Sequence, residues 1–193
     1  GKLVWYQPYL YLPGYPSESW AERSSGGSYV ALAGNAFFSP VHAPGAPDLP
    51  GTSGEAEPKP GDGLALYSLE SGLRQRLLGG HHRALASGDV LYAWGEGKIV
   101  ALDWRKWREQ GNAAKATLWS AKHDGLVYAL ALTRGALLVG GANALTAYST
   151  AGGAPLGSAT VGEQVRGIAV SSRRAVVATN KGRLVCLAPG RPE

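Results

Sequence analysis

Asp103-Trp-Arg-Lys-Trp-Arg-Glu-Gln-Gly111 sets two aromatic and three basic side chains within nine residues. On a helix, Trp104 and Trp107 lie three apart and share a face, as do Arg105 and Arg108. Two readings follow. The indoles anchor a short helix on a sheet edge, or the four side chains form an aromatic–basic patch that binds a partner. Arg173 and Arg174 belong to a second basic group, residues 171–174 with Lys181 and Arg183, read as a patch on two neighbouring turns. It either meets an acidic partner or is a solvated rim. His81-His82 follows Gly79-Gly80. Neutral imidazoles there are weak candidates for a metal or haem, against a turn pair that bonds backbone. His42 and His123 are the other histidines. Asp103 and Asp124 are available carboxylates, but no second ligand is grouped with either, and Asp103 reads better as the cap of the helix that Gly111 ends. No His-x3-His, haem-attachment, nucleophile-elbow or phosphate-loop pattern occurs. No residue is therefore expected to be catalytic.

The single cysteine, Cys186, sits in the apolar run Leu184-Val-Cys-Leu187 and is expected to be a small core residue. One cysteine excludes an intrachain disulfide and a cysteine-based metal site. The net charge of +5 over 193 residues is mild and scattered, so nucleic acid is not an expected partner. No apolar run of 18 or more residues is present, so no membrane span is expected, and no signal peptide is read. There is no methionine, at position 1 included, which is expected of a processed or trimmed chain or of one whose start is not recorded.

These side chains must be held by sheets. Charged residues are 17%, below the usual quarter, and the 28 Gly and 12 Pro suit many turns between short strands. A strand–turn–strand phrase recurs over residues 83–103, 128–149 and 166–188, with a partial copy before them. The turn residues ahead of each third strand are Asp62, Gly97, Asn143 and Gly182, at separations of 35, 46 and 39 residues. Propeller blades repeat at about 40–50 residues. The reading predicts inner strands at 84–86, 127–132 and 165–170, second strands at 90–94, 136–139 and 175–179, and third strands at 98–102, 144–148 and 183–187. Residues 28–33 and 64–67 are the strands of an irregular first blade. Residues 39–63 hold six of the prolines and read as a long exposed loop. The Tyr/Pro-rich stretch 6–15 either packs on the surface or binds. The expectation is an all-β chain, a β-propeller of four-stranded antiparallel blades, about four of them, in residues 1–193 as one domain or a partial propeller.

Ile99-Val-Ala-Leu-Asp103, Leu64-Ala-Leu-Tyr-Ser68 and Leu184-Val-Cys-Leu187, with the outer-strand phrases Gly1-Lys-Leu-Val-Trp5 and Lys115-Ala-Thr-Leu-Trp119, resemble the repeat of pyrroloquinoline-quinone (PQQ) type propellers. Glu70-Ser-Gly72 and Thr150-Ala-Gly-Gly153 resemble its turn. The likeness covers most of residues 62–188 and speaks to fold more than to activity. It implies a periplasmic or cell-surface bacterial protein. Because many such proteins bind no quinone, it implies a non-catalytic protein-interaction scaffold without a cofactor. The alternative it implies is a fragment of a dehydrogenase using PQQ with calcium, whose catalytic residues lie in blades not present here; that family's adjacent cysteines are impossible with one cysteine. Gly1–Trp5 reads as an outer strand without its own blade, while the last blade stops at Leu187. Either that strand closes a four-bladed ring, or this is the C-terminal portion of a larger propeller whose missing blades lie on another protein chain or fragment; the second is slightly favoured.

Overall fold

The computed structural model describes residues 30–41, 63–171 and 174–188. Strands dominate, and in every sheet chain-consecutive strands pair antiparallel. The first sheet is β1 (Ala31–Ala33), β2 (Ala36–Val41), β3 (Gly63–Ser68) and β4 (Arg74–Gly79). The second is β5 (His81–Ser87), β6 (Val90–Gly95), β7 (Lys98–Asp103) and β8 (Thr117–Lys122). Two short helices, α1 (Trp104–Gln110) and α2 (Ala113–Ala116), link β7 to β8. The third sheet is β9 (Ala129–Leu132), β10 (Ala136–Gly140), β11 (Ala144–Ser149) and β12 (Pro155–Thr160). The fourth has three strands among the described residues: β13 (Val165–Ser171), β14 (Arg174–Thr179) and β15 (Leu184–Leu187). Successive meander sheets of this kind are the blades of a β-propeller.

The chain divides into two compact units, Gly1–Glu96 with Leu102–Thr117, and Gly97–Ala101 with Leu118–Glu193. In the first unit β5 packs on β1, β2 and β3. Phe38, Leu64, Leu66, Leu91, Trp104 and Trp107 are fully buried there. Gly95 closes β6 where a Cβ would run into the Gly80 carbonyl oxygen and the His81 Cα, so only glycine fits the end of that strand. In the second unit β13 packs on β9 and β10, and Leu137, Val139, Val165 and Val177 are fully buried. Its turns are tied by Glu163, which accepts from Thr179 Oγ1 at 2.5 Å and Arg183 Nη1 at 3.0 Å.

Two expectations need correction. The exposed loop over 39–63 is too wide: residues 39–41 complete β2, Gly63 opens β3, and Ser39 is buried. Residues 42–62 lie outside the described residues, as do 1–29 with the 6–15 stretch and the Gly1–Trp5 phrase. Cys186 is exposed, not core. It belongs to the outermost described strand of its sheet, and alternation sends Val185 and Leu187 inward and Leu184 and Cys186 outward. The last blade has three strands among the described residues, the third ending at Leu187 as expected.

The fourth sheet has two unlike faces. Val177, Val165, Ile168, Ala175, Val185 and Leu187 make its covered side. On the other side Val176 is paired with both Ala169 and Cys186, and Ala178 with Leu184. That face is open: Ala169, Val176, Leu184 and Cys186 are all exposed, Leu184 at 76%.

Candidate functional site: a two-arginine pocket on the first unit

Helix α1 begins where Asp103 leaves β7. Its carboxylate accepts the Lys106 N–H at 2.9 Å, and Gly111 ends the helix in the left-handed region with its N–H on the Trp107 carbonyl. The cap therefore accounts for Asp103. Trp104 and Trp107 each retain 1% of their surface. The Trp104 indole N–H donates to the Gly88 carbonyl at 2.9 Å, and its ring meets Phe38 edge-on at 6.0 Å. The two indoles are thus core anchors, and the basic side chains are what α1 turns toward solvent.

Arg105 crosses the Trp104 ring at 5.4 Å and pairs through Nε with Asp89 at 2.8 Å. Both partners are more than half exposed, so that pair contributes only about 0.2–1 kcal/mol. Arg108 is half-buried and donates from Nη1 to the neutral amide oxygen of Asn35 at 2.8 Å. Asn35 stands in the turn from β1 to β2, beside Gly34, whose φ of 54° and closeness to the Trp104 ring suit glycine. Asn35, Trp104, Arg105, Arg108 and Glu109 line an open pocket of 510 Å³. Volumes of 300–1,000 Å³ are typical of ligand sites. Asn35, Asp89 and Glu109 were not legible as site residues. The Gly-Asn turn signal was present, but nothing local tells that this turn faces α1.

The other expected positions are scattered. Arg174 is exposed at the start of β14, and Arg173 lies outside the described residues. Arg174 and the pair Lys181 and Arg183 flank opposite ends of β14, roughly 17 Å of strand apart. They do not form one patch, and Arg183 is drawn onto Glu163. His81 is buried, with Nδ1 2.8 Å from the Gly79 carbonyl, so it bonds local backbone. His82 is the extra residue of a bulge between His81 and Arg83 and turns its ring toward Trp94 at 6.4 Å. Among the described residues no group of three His, Cys, Asp or Glu side chains is placed to hold a metal. Asp124 pairs with Lys122 at 2.9 Å on the surface of the second unit.

Two features of the second unit escaped the sequence reading. His123 is buried, with Nδ1 2.8 Å from the Tyr148 hydroxyl. Burial holds this imidazole below its usual 6.5, with Asp124 pulling weakly the other way. Arg166 lies over the Tyr128 ring at 4.6 Å and donates to Gln164 at 2.7 Å. It occupies the bulge of β13 between Val165 and Gly167, as His82 does in β5.

No family model matches the chain, and no curated protein matches it. Solved structures do. The computationally designed Ika4 protein aligns with a TM-score of 0.61 at 14% identity, over 96% of this chain and 100% of its own. BamB from Moraxella catarrhalis aligns with 0.52 at 22% identity, over 82% of this chain and 45% of its own. A chain of the mitotic checkpoint complex aligns with 0.51 at 20% identity, over 60% of this chain and 37% of its own. The chain thus spans less than half of these last two proteins. At such identities the likeness is one of fold, and it agrees with the blade architecture.

Proposed function

We propose that this chain is a non-catalytic propeller of the PQQ-like repeat type that serves as a protein-interaction platform in a larger assembly, in the periplasm or at the cell surface of a bacterium. One observation carries the reading. The face of the fourth sheet formed by Ala169, Val176, Leu184 and Cys186 is apolar and exposed, beside an outermost described strand, β15. Blades hide such faces against a neighbouring sheet, and exposed strand edges invite pairing with another chain. The occupant is a neighbouring sheet that supplies the blade that follows, from another protein chain or from the missing blades of the same propeller. The likeness to BamB and to a chain of the mitotic checkpoint complex, itself an assembly, supports this reading.

A quinone cofactor with calcium does not enter the proposal. Asp103 is engaged by the helix cap and Asp124 by Lys122, so neither carboxylate is gathered into a ligand set. Val176→Lys with Leu184→Lys tests the platform. The native mass of the protein in its own cell extract is expected to exceed that of one chain and to fall toward it in the double variant. An Arg134→Glu control, on an exposed turn of the second unit, is expected to behave as wild type. Equal masses for the double variant and wild type would refute the reading.

A further inference from the structure

We infer that the pocket beside α1 holds the carboxylate of an acidic residue in an extended peptide segment of a protein partner. The inference rests on the platform reading and names what a second surface of the platform takes.

Arg108 carries the argument. A guanidinium has five N–H donors and keeps its charge at all working pH values. Among the described residues its hydrogen-bond partners are the neutral Asn35 amide oxygen and, on the described geometry, no carboxylate. It is half-buried, so its charge is only partly solvated while most of its donors are unspent. Arg105 spends Nε on Asp89 and lies over the Trp104 ring, which leaves its terminal amino groups for the pocket. A carboxylate entering here meets two guanidinium forks, the geometry in which charge-assisted hydrogen bonds are strongest.

Glu109 decides the class of ligand. It lines the same pocket and makes no ion pair among the described residues. A phosphate chain or a small diacid brings only acceptors and meets this carboxylate with like charge. An extended peptide brings both halves: a side-chain carboxylate for Arg108 and Arg105, and backbone N–H donors for Glu109. Trp104 also lines the pocket, under the Arg105 guanidinium.

The test follows the Trp104 indole N–H resonance during titration with capped alanine pentapeptides carrying a central glutamate or a central glutamine, and with glutarate. The glutamate peptide is expected to bind about ten-fold tighter than the glutamine peptide, a difference of about 1.4 kcal/mol. Arg108→Gln removes the difference and Arg108→Lys keeps part of it, with folding of both verified by far-ultraviolet circular dichroism. Glutarate binds no better than the glutamine peptide. Equal binding of the two peptides by wild type, no binding of either, a preference that survives in Arg108→Gln, or glutarate matching the glutamate peptide would each overturn the proposal. Val176→Lys with Leu184→Lys leaves the peptide preference unchanged. Loss of the preference with the native mass intact condemns the pocket alone, and the converse condemns the platform alone.

Discussion

Trp104 does three jobs at once: it fills the core of the first unit, ties α1 to the Gly88 carbonyl, and walls the pocket. Removing so large a buried ring leaves a cavity the surroundings refill only in part. Trp104→Ala is therefore expected to lower stability by about 3–5 kcal/mol, read from urea unfolding. Arg105→Gln, which breaks only an exposed pair, is expected to change it by less than about 1 kcal/mol. His123 makes a pH-dependent contribution. Its folded pKa lies below the unfolded 6.5, so its stabilisation is complete above that value and is lost as pH falls through the lowered one. The urea midpoint of wild type is expected to fall more steeply from about pH 7 to pH 5 than that of His123→Gln. Parallel pH profiles would show that His123 does not titrate as its burial implies. The spacing of Trp104 and Trp107 was enough to see a shared face; which way that face points depends on Phe38 and Gly88, far away in sequence.

At the scale of elements, α1 rests on its cap. Asp103→Ala is expected to destabilise by about 1 kcal/mol, and Asp103→Asn, which keeps an acceptor, by a few tenths. Gly95→Ala is expected to lower stability by more than about 1 kcal/mol, because the new methyl meets backbone at Gly80 and His81 that has no room to give. Calorimetric melting of each variant checks both. The inner, second and third strands of the last three blades were legible from apolar runs bounded by Gly and Asn. The fourth strands were harder. β4 reads Arg-Gln-Arg-Leu-Leu-Gly and β12 is almost wholly exposed, so neither shows a buried-strand pattern. β2 hid behind Pro40, a residue seldom found inside sheets. It is accommodated because β1 covers β2 only as far as Phe38, and beyond it, among the described residues, β2 pairs on the β3 side alone. The basic patch failed for a simpler reason: a strand separates successive turns, and β14 carries Arg174 away from Lys181.

For the whole molecule, repeat spacing was the strongest signal, because each blade must hide its faces against others and so repeats its pattern. Sequence spacing cannot tell which face of a blade remains uncovered. Leu184-Val-Cys-Leu187 reads as a buried run, yet half of it faces outward. That open face is the centre of the account, and it carries its own probe, since Cys186 is the only cysteine of the chain and is exposed upon it. Maleimide labelling of Cys186 in the isolated chain and in the assembly taken intact from its own cells is the most direct measurement. The account predicts rapid labelling of the isolated chain and strong protection in the assembly. Equally rapid labelling in both would contradict it.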